Sequence, residues 1–154
     1  MRASGLSRCG LMGAIGLAAW LLVACGSAQP ATRSHARVPT SFDPRTYYSR
    51  RALAVQRGEA SFYADSFAGR RTANGETYEP NAYTAAHRSL PFGSVLRITR
   101  ERTGDWVLVR VNDRGPYGPR TRIIDLSKQA AKRLSMLRAG VVAVRLEILE
   151  MGPH

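Results

Sequence analysis

Glu76, His87 and Asp113 are the residues of this sequence best suited to moving protons. The first two lie in "TANGETYEPNAYTAAHRSLPFG", a stretch rich in turn formers, and Asp113 follows in "VRVNDRGPYG". Two carboxyl groups and an imidazole, if a fold converges them, can donate, accept and orient a proton at a polar bond. Each has an ordinary reading too: a solvated loop carboxylate for Glu76, a backbone-bonded histidine for His87, and a turn cap before Gly115 and Pro116 for Asp113. No second histidine stands close, no cysteine falls in this region and no HExxH spacing occurs, so neither a metal site nor a cofactor is expected.

The elements that must position these residues read mostly as strands. "ASFYA" alternates, and "SVLRIT" and "WVLVRV" flank "RERTGD" as a hairpin turning near Thr103, Gly104 and Asp105. "VVAVRLEIL" closes the pattern with period two. Asp113 follows "WVLVRV", so it should stand where a buried strand emerges into a loop. One helix is expected in "KQAAKRLSML", with Ser127 as N-cap, Ala130, Ala131, Leu134 and Leu137 on one face and Gly140 near its end. Asp125, just before it, reads as tying the preceding loop to the helix N-terminus. Several strands, one or two short helices and long Gly- and Pro-bearing loops make this a mainly β chain folded as a compact barrel, not an alternating α/β sheet.

Before this domain the chain is organised for export. Arg2 and Arg8 precede the apolar run "GLMGAIGLAAWLLVA", whose length suits a signal peptide better than a bilayer span. It ends in Leu22-Val23-Ala24-Cys25, similar to a bacterial lipobox, so residues 1–24 are expected to be removed and Cys25 lipidated. Loss of Cys9 with the leader would leave Cys25 as the single cysteine, so no internal disulfide can form. Residues 25–57 carry scattered Pro, Ser, Ala and Arg with no sustained apolar period and read as a flexible tether. His35 is assigned no function. Residues 58–150 are then the folded domain, long enough to bury one core.

"GEASFYADSFAGRRTANGETY", "TAAHRSLPFGSVLRIT", "VLVRVNDRGPYG" and "RIIDLSKQAAKRL" resemble, in unbroken order, the motifs of the rare lipoprotein A family. The resemblance implies a six-stranded double-psi β-barrel, related in fold to expansins and barwin, and endolytic lytic transglycosylase activity on peptidoglycan. It further implies that Glu76 matches the glutamate of the family's "NGE" motif, His87 the histidine of "AAH", and Asp113 the functional aspartate. Such an enzyme protonates the leaving oxygen, and the sugar's own 6-hydroxyl closes a 1,6-anhydro product. Tyr78, Tyr117 and Arg114, within or beside the same motifs, are candidate substrate contacts. Many members carry a C-terminal SPOR domain that binds denuded glycan. This sequence stops at Met151-Gly152-Pro153-His154, so the barrel is expected to find its substrate without one. The other reading is a noncatalytic wall-binding or scaffolding lipoprotein.

Lys and Arg number 23 against 11 Asp and Glu, a formal net charge of +12 of which Arg2 and Arg8 belong to the leader. That balance attracts polyanions. Export separates the domain from nucleic acid, and no nucleic-acid fold is recognisable. Stem-peptide carboxylates of peptidoglycan and anionic headgroups remain as partners, reached from a lipid anchor at Cys25 in the cell envelope, on the outer membrane facing the periplasm.

Overall fold

The computed structural model describes residues 44–153. The leader, Cys25, His35 and the tether as far as residue 43 lie outside them. Six strands close into a barrel: β1 (Ala54–Phe62), β2 (Thr84–Ala86), β3 (Val95–Arg100), β4 (Trp106–Asp113), β5 (Arg122–Leu126) and β6 (Val142–Glu150), in the spatial order β1-β5-β2-β4-β3-β6. One half is antiparallel throughout, since β3 pairs with β4 and β6, and β6 pairs with β1. The other half contains the two parallel pairs, β1 with β5 and β2 with β4, joined by the short antiparallel contact of β2 with β5.

Local sequence explains the antiparallel half directly. The β3–β4 hairpin turns over Glu101–Asp105, where Gly104 takes φ +75° and the Thr103 hydroxyl donates to Asp105 Oδ2 at 2.9 Å. Alternation then sends Leu96, Ile98, Val109, Val111, Val144 and Leu146 inward, all with no more than trace exposure. On the outer surface Arg97 faces Glu147 across β3 and β6, with Nε 2.9 Å and Nη2 3.0 Å from the carboxylate.

Among the described residues a single α-helix, α1 (Lys128–Arg133), packs against the barrel with Ala130 and Ala131 buried, and Leu134 follows as its buried C-cap residue. Ser127 is its N-cap and accepts from the Ala130 N–H. The helix is shorter than its sequence pattern. Ser135 takes φ +54°, so the chain leaves helical geometry after Leu134. Met136 is then fully buried, while Leu137, expected on the apolar face, is 37 % exposed.

Ordered structure also begins before Gly58. β1 starts at Ala54 and pairs with β6 from Ala54↔Ile148 onward. Upstream, Tyr47 is buried with Val95, Leu108 and Leu149, and its hydroxyl donates to Glu150 at 3.0 Å. Residues 44–57 therefore belong to the domain and not to the tether.

Candidate active site

Four strands contribute to one transverse row of residues. Register pairs Ser61 of β1 with Asp125 of β5, Asp125 with Ala86 of β2, and Ala86 with Asp113 of β4. Their neighbours Ala60, Ile124, Leu126 and Ala85 point into the core, so the row lies on the outer face of the sheet. Strands lie about 4.8 Å apart, which sets the Asp113 and Asp125 backbones about 10 Å apart across the methyl of Ala86. A residue larger than alanine between them would fill the gap. Gly115 closes over it: a Cβ at Gly115, which takes φ +140°, would stand 3.6 Å from Asp125 Oδ2 and 3.7 Å from the Ala86 methyl.

Asp113 is held from three sides. Tyr63 OH donates to its Oδ2 at 2.7 Å, and the Ala73 and Arg114 N–H groups donate to Oδ1 at 2.8 Å each. The Ala73 N–H is delivered by a turn over Thr72–Glu76, whose geometry depends on Glu76. Arg110, from buried β4, grips both Glu76 oxygens at 2.9 and 2.8 Å, and Asn112 adds a third bond at 3.0 Å. Partial burial pushes the Glu76 carboxyl up. The hydrogen bonds from Arg110 and Asn112, with the Arg110 charge, outweigh that and hold it below the usual carboxylate range. Glu76 is thus an ionised anchor for the turn that feeds Asp113.

Asp125 is pushed in the opposite direction. Burial raises its carboxyl above the ordinary value and the charge of Asp113 adds to the effect, against the pull of the Ser61 hydroxyl, Arg122 and Arg88. Ser61 Oγ donates to Asp125 Oδ1. Tyr63, bridging above the row to Asp113, is raised by burial, by that hydrogen bond and by the charges of both aspartates, so it stays a neutral phenol.

His87 is buried at the edge of the row. Its Nδ1 accepts from the Leu90 N–H at 3.1 Å and the Ser89 N–H at 3.3 Å, which assigns the ring proton to Nε2. Burial lowers its pKa, and Arg114 and Arg88 lower it further, so the ring is neutral near pH 7. The His87 N–H donates to the Asp113 carbonyl at 3.2 Å, tying β2 to the end of β4. Among the described residues no cluster of His, Cys, Asp or Glu is arranged to hold a metal ion.

Residues 55–146 match the family model described as lytic transglycolase, a double-psi β-barrel. The chain belongs to this family. It is 53 % identical over 102 residues to the "Probable endolytic peptidoglycan transglycosylase RlpA" of Treponema pallidum, a match covering 66 % of this chain and 32 % of that protein. It is 44 % identical over 123 residues to the "Endolytic peptidoglycan transglycosylase RlpA" of Pasteurella multocida, covering 79 % of this chain and 42 % of that protein. The chain thus spans well under half the length of these relatives. Among solved structures, the Streptomyces papain inhibitor superposes with a TM-score of 0.54 at 23 % identity, over 64 % of this chain and 97 % of that one. An expansin of Clavibacter michiganensis superposes with a TM-score of 0.51 at 18 % identity, over 66 % of this chain and 53 % of that one. These two likenesses establish the fold alone.

On this family's barrel the sequence-derived site residues divide. Glu76, His87 and Asp113 all lie around the end of β4, His87 through its backbone N–H on the Asp113 carbonyl and Glu76 through Arg110, Asn112 and the turn that delivers the Ala73 N–H. Tyr117 is 87 % exposed on the loop after Asp113 and is open to a ligand. Tyr78 is not. Only 3 % exposed, it packs its ring 4.7 Å from Tyr63, and its hydroxyl accepts from the Lys128 N–H at 3.3 Å. It backs Tyr63 and cannot present a face to a sugar. Arg114 turns away from the carboxylate: its guanidinium donates to the Leu90 carbonyl at 2.9 Å and lies 3.7 Å from the centroid of the Phe92 ring.

Asp125 also departs from its expected place, because β5 runs parallel to β1 and aims its side chain at Ser61, not at α1. Ser61, Tyr63 and Ala86 were not singled out in sequence. Only the alternation of "ASFYA", which puts Ser61 and Tyr63 on one face, hinted at the first two.

Proposed function

We propose that this chain is an endolytic peptidoglycan lytic transglycosylase in which Asp125 is the proton donor. The observation that carries the reading is the Ser61-Asp125-Ala86-Asp113 row, an outer-face groove where two carboxyl groups share one surface and one of them is pushed up. Carboxyls whose environments drive them apart divide acid from charge-stabilising work. Protonated Asp125 gives its proton to the glycosidic oxygen while Asp113, fixed by Tyr63, Ala73 and Arg114, faces the positive charge that develops on the sugar. The sugar's 6-hydroxyl then attacks the anomeric carbon, and Asp125, now a carboxylate, takes that proton back. His87 offers its Nε2–H to a sugar hydroxyl or N-acetyl oxygen, Tyr117 lies beside the groove, and Glu76 acts through the position of Asp113.

The relatives' printed activity and the family assignment support the same reaction class. The test is release of anhydro-muropeptides from purified sacculi, read by mass spectrometry. Asp125→Asn should lose about 10²–10⁴ in rate with strand binding retained. Wild-type binding with no cleavage would make the chain a noncatalytic wall-binding lipoprotein instead, and an Asp125→Asn variant cutting at the wild-type rate would give the acid role to Asp113.

For location, Leu22-Val23-Ala24-Cys25 supports lipidation of Cys25 and residence in the cell envelope, on the outer membrane facing the periplasm. Each buried methylene of an acyl chain contributes about 0.8 kcal/mol, so two or three chains hold firmly. Cys25→Ser should release the protein into the soluble fraction; continued firm membrane attachment would remove the lipobox.

A further inference from the structure

A pocket apart from the row lies where the β3–β4 hairpin meets the start of β6. Arg100, Arg102, Ala139, Val141, Val142 and Ala143 line about 360 Å³ there, a volume in the range of small-ligand sites. None of these residues belongs to the Ser61-Asp125-Ala86-Asp113 row. Backbone bonds hold the walls in place: the Val141 N–H donates to the Ala139 carbonyl at 2.8 Å, the Gly140 N–H to Met136 at 3.0 Å and the Glu101 N–H to Ala143 at 3.1 Å.

Arg100 carries the chemistry. It is only 5 % exposed. Its Nη1 donates to the carbonyls of Ser135 at 2.8 Å and Leu134 at 3.1 Å, where the chain leaves α1, and these bonds fix the plane of the guanidinium. Among the described residues, its Nε is the one buried side-chain nitrogen or oxygen without a hydrogen-bond partner. A guanidinium presents Nε and Nη2 along one edge, a fork that matches two carboxylate oxygens. On the same strand Arg97 uses that edge to hold Glu147, with Nε and Nη2 at 2.9 and 3.0 Å from its oxygens. Arg100 turns the equivalent edge to no carboxylate of the described residues. Its neighbour Glu101 is paired with Arg57 at 3.3 Å, and Asp105 accepts from the Thr103 hydroxyl. A buried donor without an acceptor is costly to keep, which directs attention to an acceptor from outside the chain. Arg102, exposed at the rim, adds a second positive charge, and Ala139, Val141, Val142 and Ala143 make the remaining wall small and apolar.

The geometry points to a docking site for the C-terminal end of a partner protein. The Arg100 edge takes the α-carboxylate, the alanine and valine wall takes a methyl-sized last side chain, and the peptide runs out to solvent past Arg102. This site stands independently of the cleavage reaction. A bare oxyanion such as phosphate would meet the charge and leave the apolar wall uncovered. A membrane surface is too broad to reach a guanidinium this deeply buried.

The experiment uses the full chain in detergent and a fluorescently labelled peptide ending in L-alanine, read by anisotropy. The free acid should bind about tenfold tighter or more than the same peptide amidated at its C-terminus, with the advantage shrinking as salt rises. Arg100→Lys keeps the charge and loses the two-donor edge, so it should erase the advantage. Ala143→Glu, at an exposed position, brings a carboxylate of the chain's own into the pocket and should do the same even if Arg100→Lys does not fold. Arg51→Gln, an exposed arginine outside the pocket, should change nothing. Equal binding of acid and amide by the wild type overturns the proposal. So does equal weakening by Ala143→Glu and Arg51→Gln, which would reduce the attraction to net charge. A peptide ending in D-alanine that binds as tightly as the L form, or tighter, would make the ligand a wall peptide, and the partner-protein assignment would fail.

Discussion

Asp125 and Glu76 are both acids on one barrel, yet their surroundings push them in opposite directions, and that contrast is open to measurement. Asp125 must carry its proton to act, so kcat/KM for strand cleavage should fall as pH rises through its elevated pKa. The charge of Asp113 is one cause of that elevation. In Asp113→Asn the residual activity should therefore lose its alkaline limb at lower pH than wild type; an unmoved limb would assign it to another group. Glu76 shows the reverse linkage. Its folded pKa is depressed, so its contribution to stability is present above the unfolded carboxylate value of about 4.3 and is lost as pH falls through the folded value. Glu76→Gln removes the carboxylate charge that the buried Arg110, with a side chain only 3 % exposed, grips at 2.8 Å. Because Glu76 is itself 23 % exposed, the cost should be about 2–3 kcal/mol, less than for a fully buried pair. Thermal melts at pH 7 should show the loss, and it should narrow as pH falls through the depressed Glu76 value, where the wild type loses the same interaction.

At the scale of elements, the antiparallel half of the barrel was legible and the parallel half was not. The β3–β4 hairpin and β6 carry long period-two runs with a glycine at the turn, which local chemistry alone decodes. β2 is the three residues Thr84–Ala86, too short for a period, and it is held by β4 and β5 from distant parts of the chain. β5 is five residues, and its partner β1 is parallel, a pairing with no turn to announce it. The expectation that Glu76, His87 and Asp113 share a site rests on motif resemblance. The role of Asp125 needed the register, which no alternation pattern supplies across four strands. The start of β1 was missed because "ALAVQR" sits on the outer, exposed stretch of its strand, where Leu53 and Val55 are 65 % and 48 % exposed. A chain beginning at Gly58 would lose four ladder positions, Ala54 to Arg57, together with the burial of Tyr47. It should be destabilised by about 3 kcal/mol or more, lowering Tm by more than about 10 °C relative to one beginning at residue 44. Calorimetry on the two would decide it, and equal melting temperatures would return residues 44–57 to the tether.

Across the whole molecule, no stretch of chain owns the groove. Ser61, Ala86, Asp113 and Asp125 become neighbours only when β1, β5, β2 and β4 are all in register, and the parallel contacts among them require long crossings to close first. Amide hydrogen exchange at the backbone of this row should accordingly report the global unfolding free energy, not a local opening, while the exposed 117–121 loop exchanges quickly. Fast exchange at Ala86 under native conditions would contradict this. The four-strand row thus works as a timing device. An unfolded or half-folded chain holds no such pair of carboxyls on one surface, and whatever chemistry the proposed groove performs arrives in a single step, at the moment the barrel shuts.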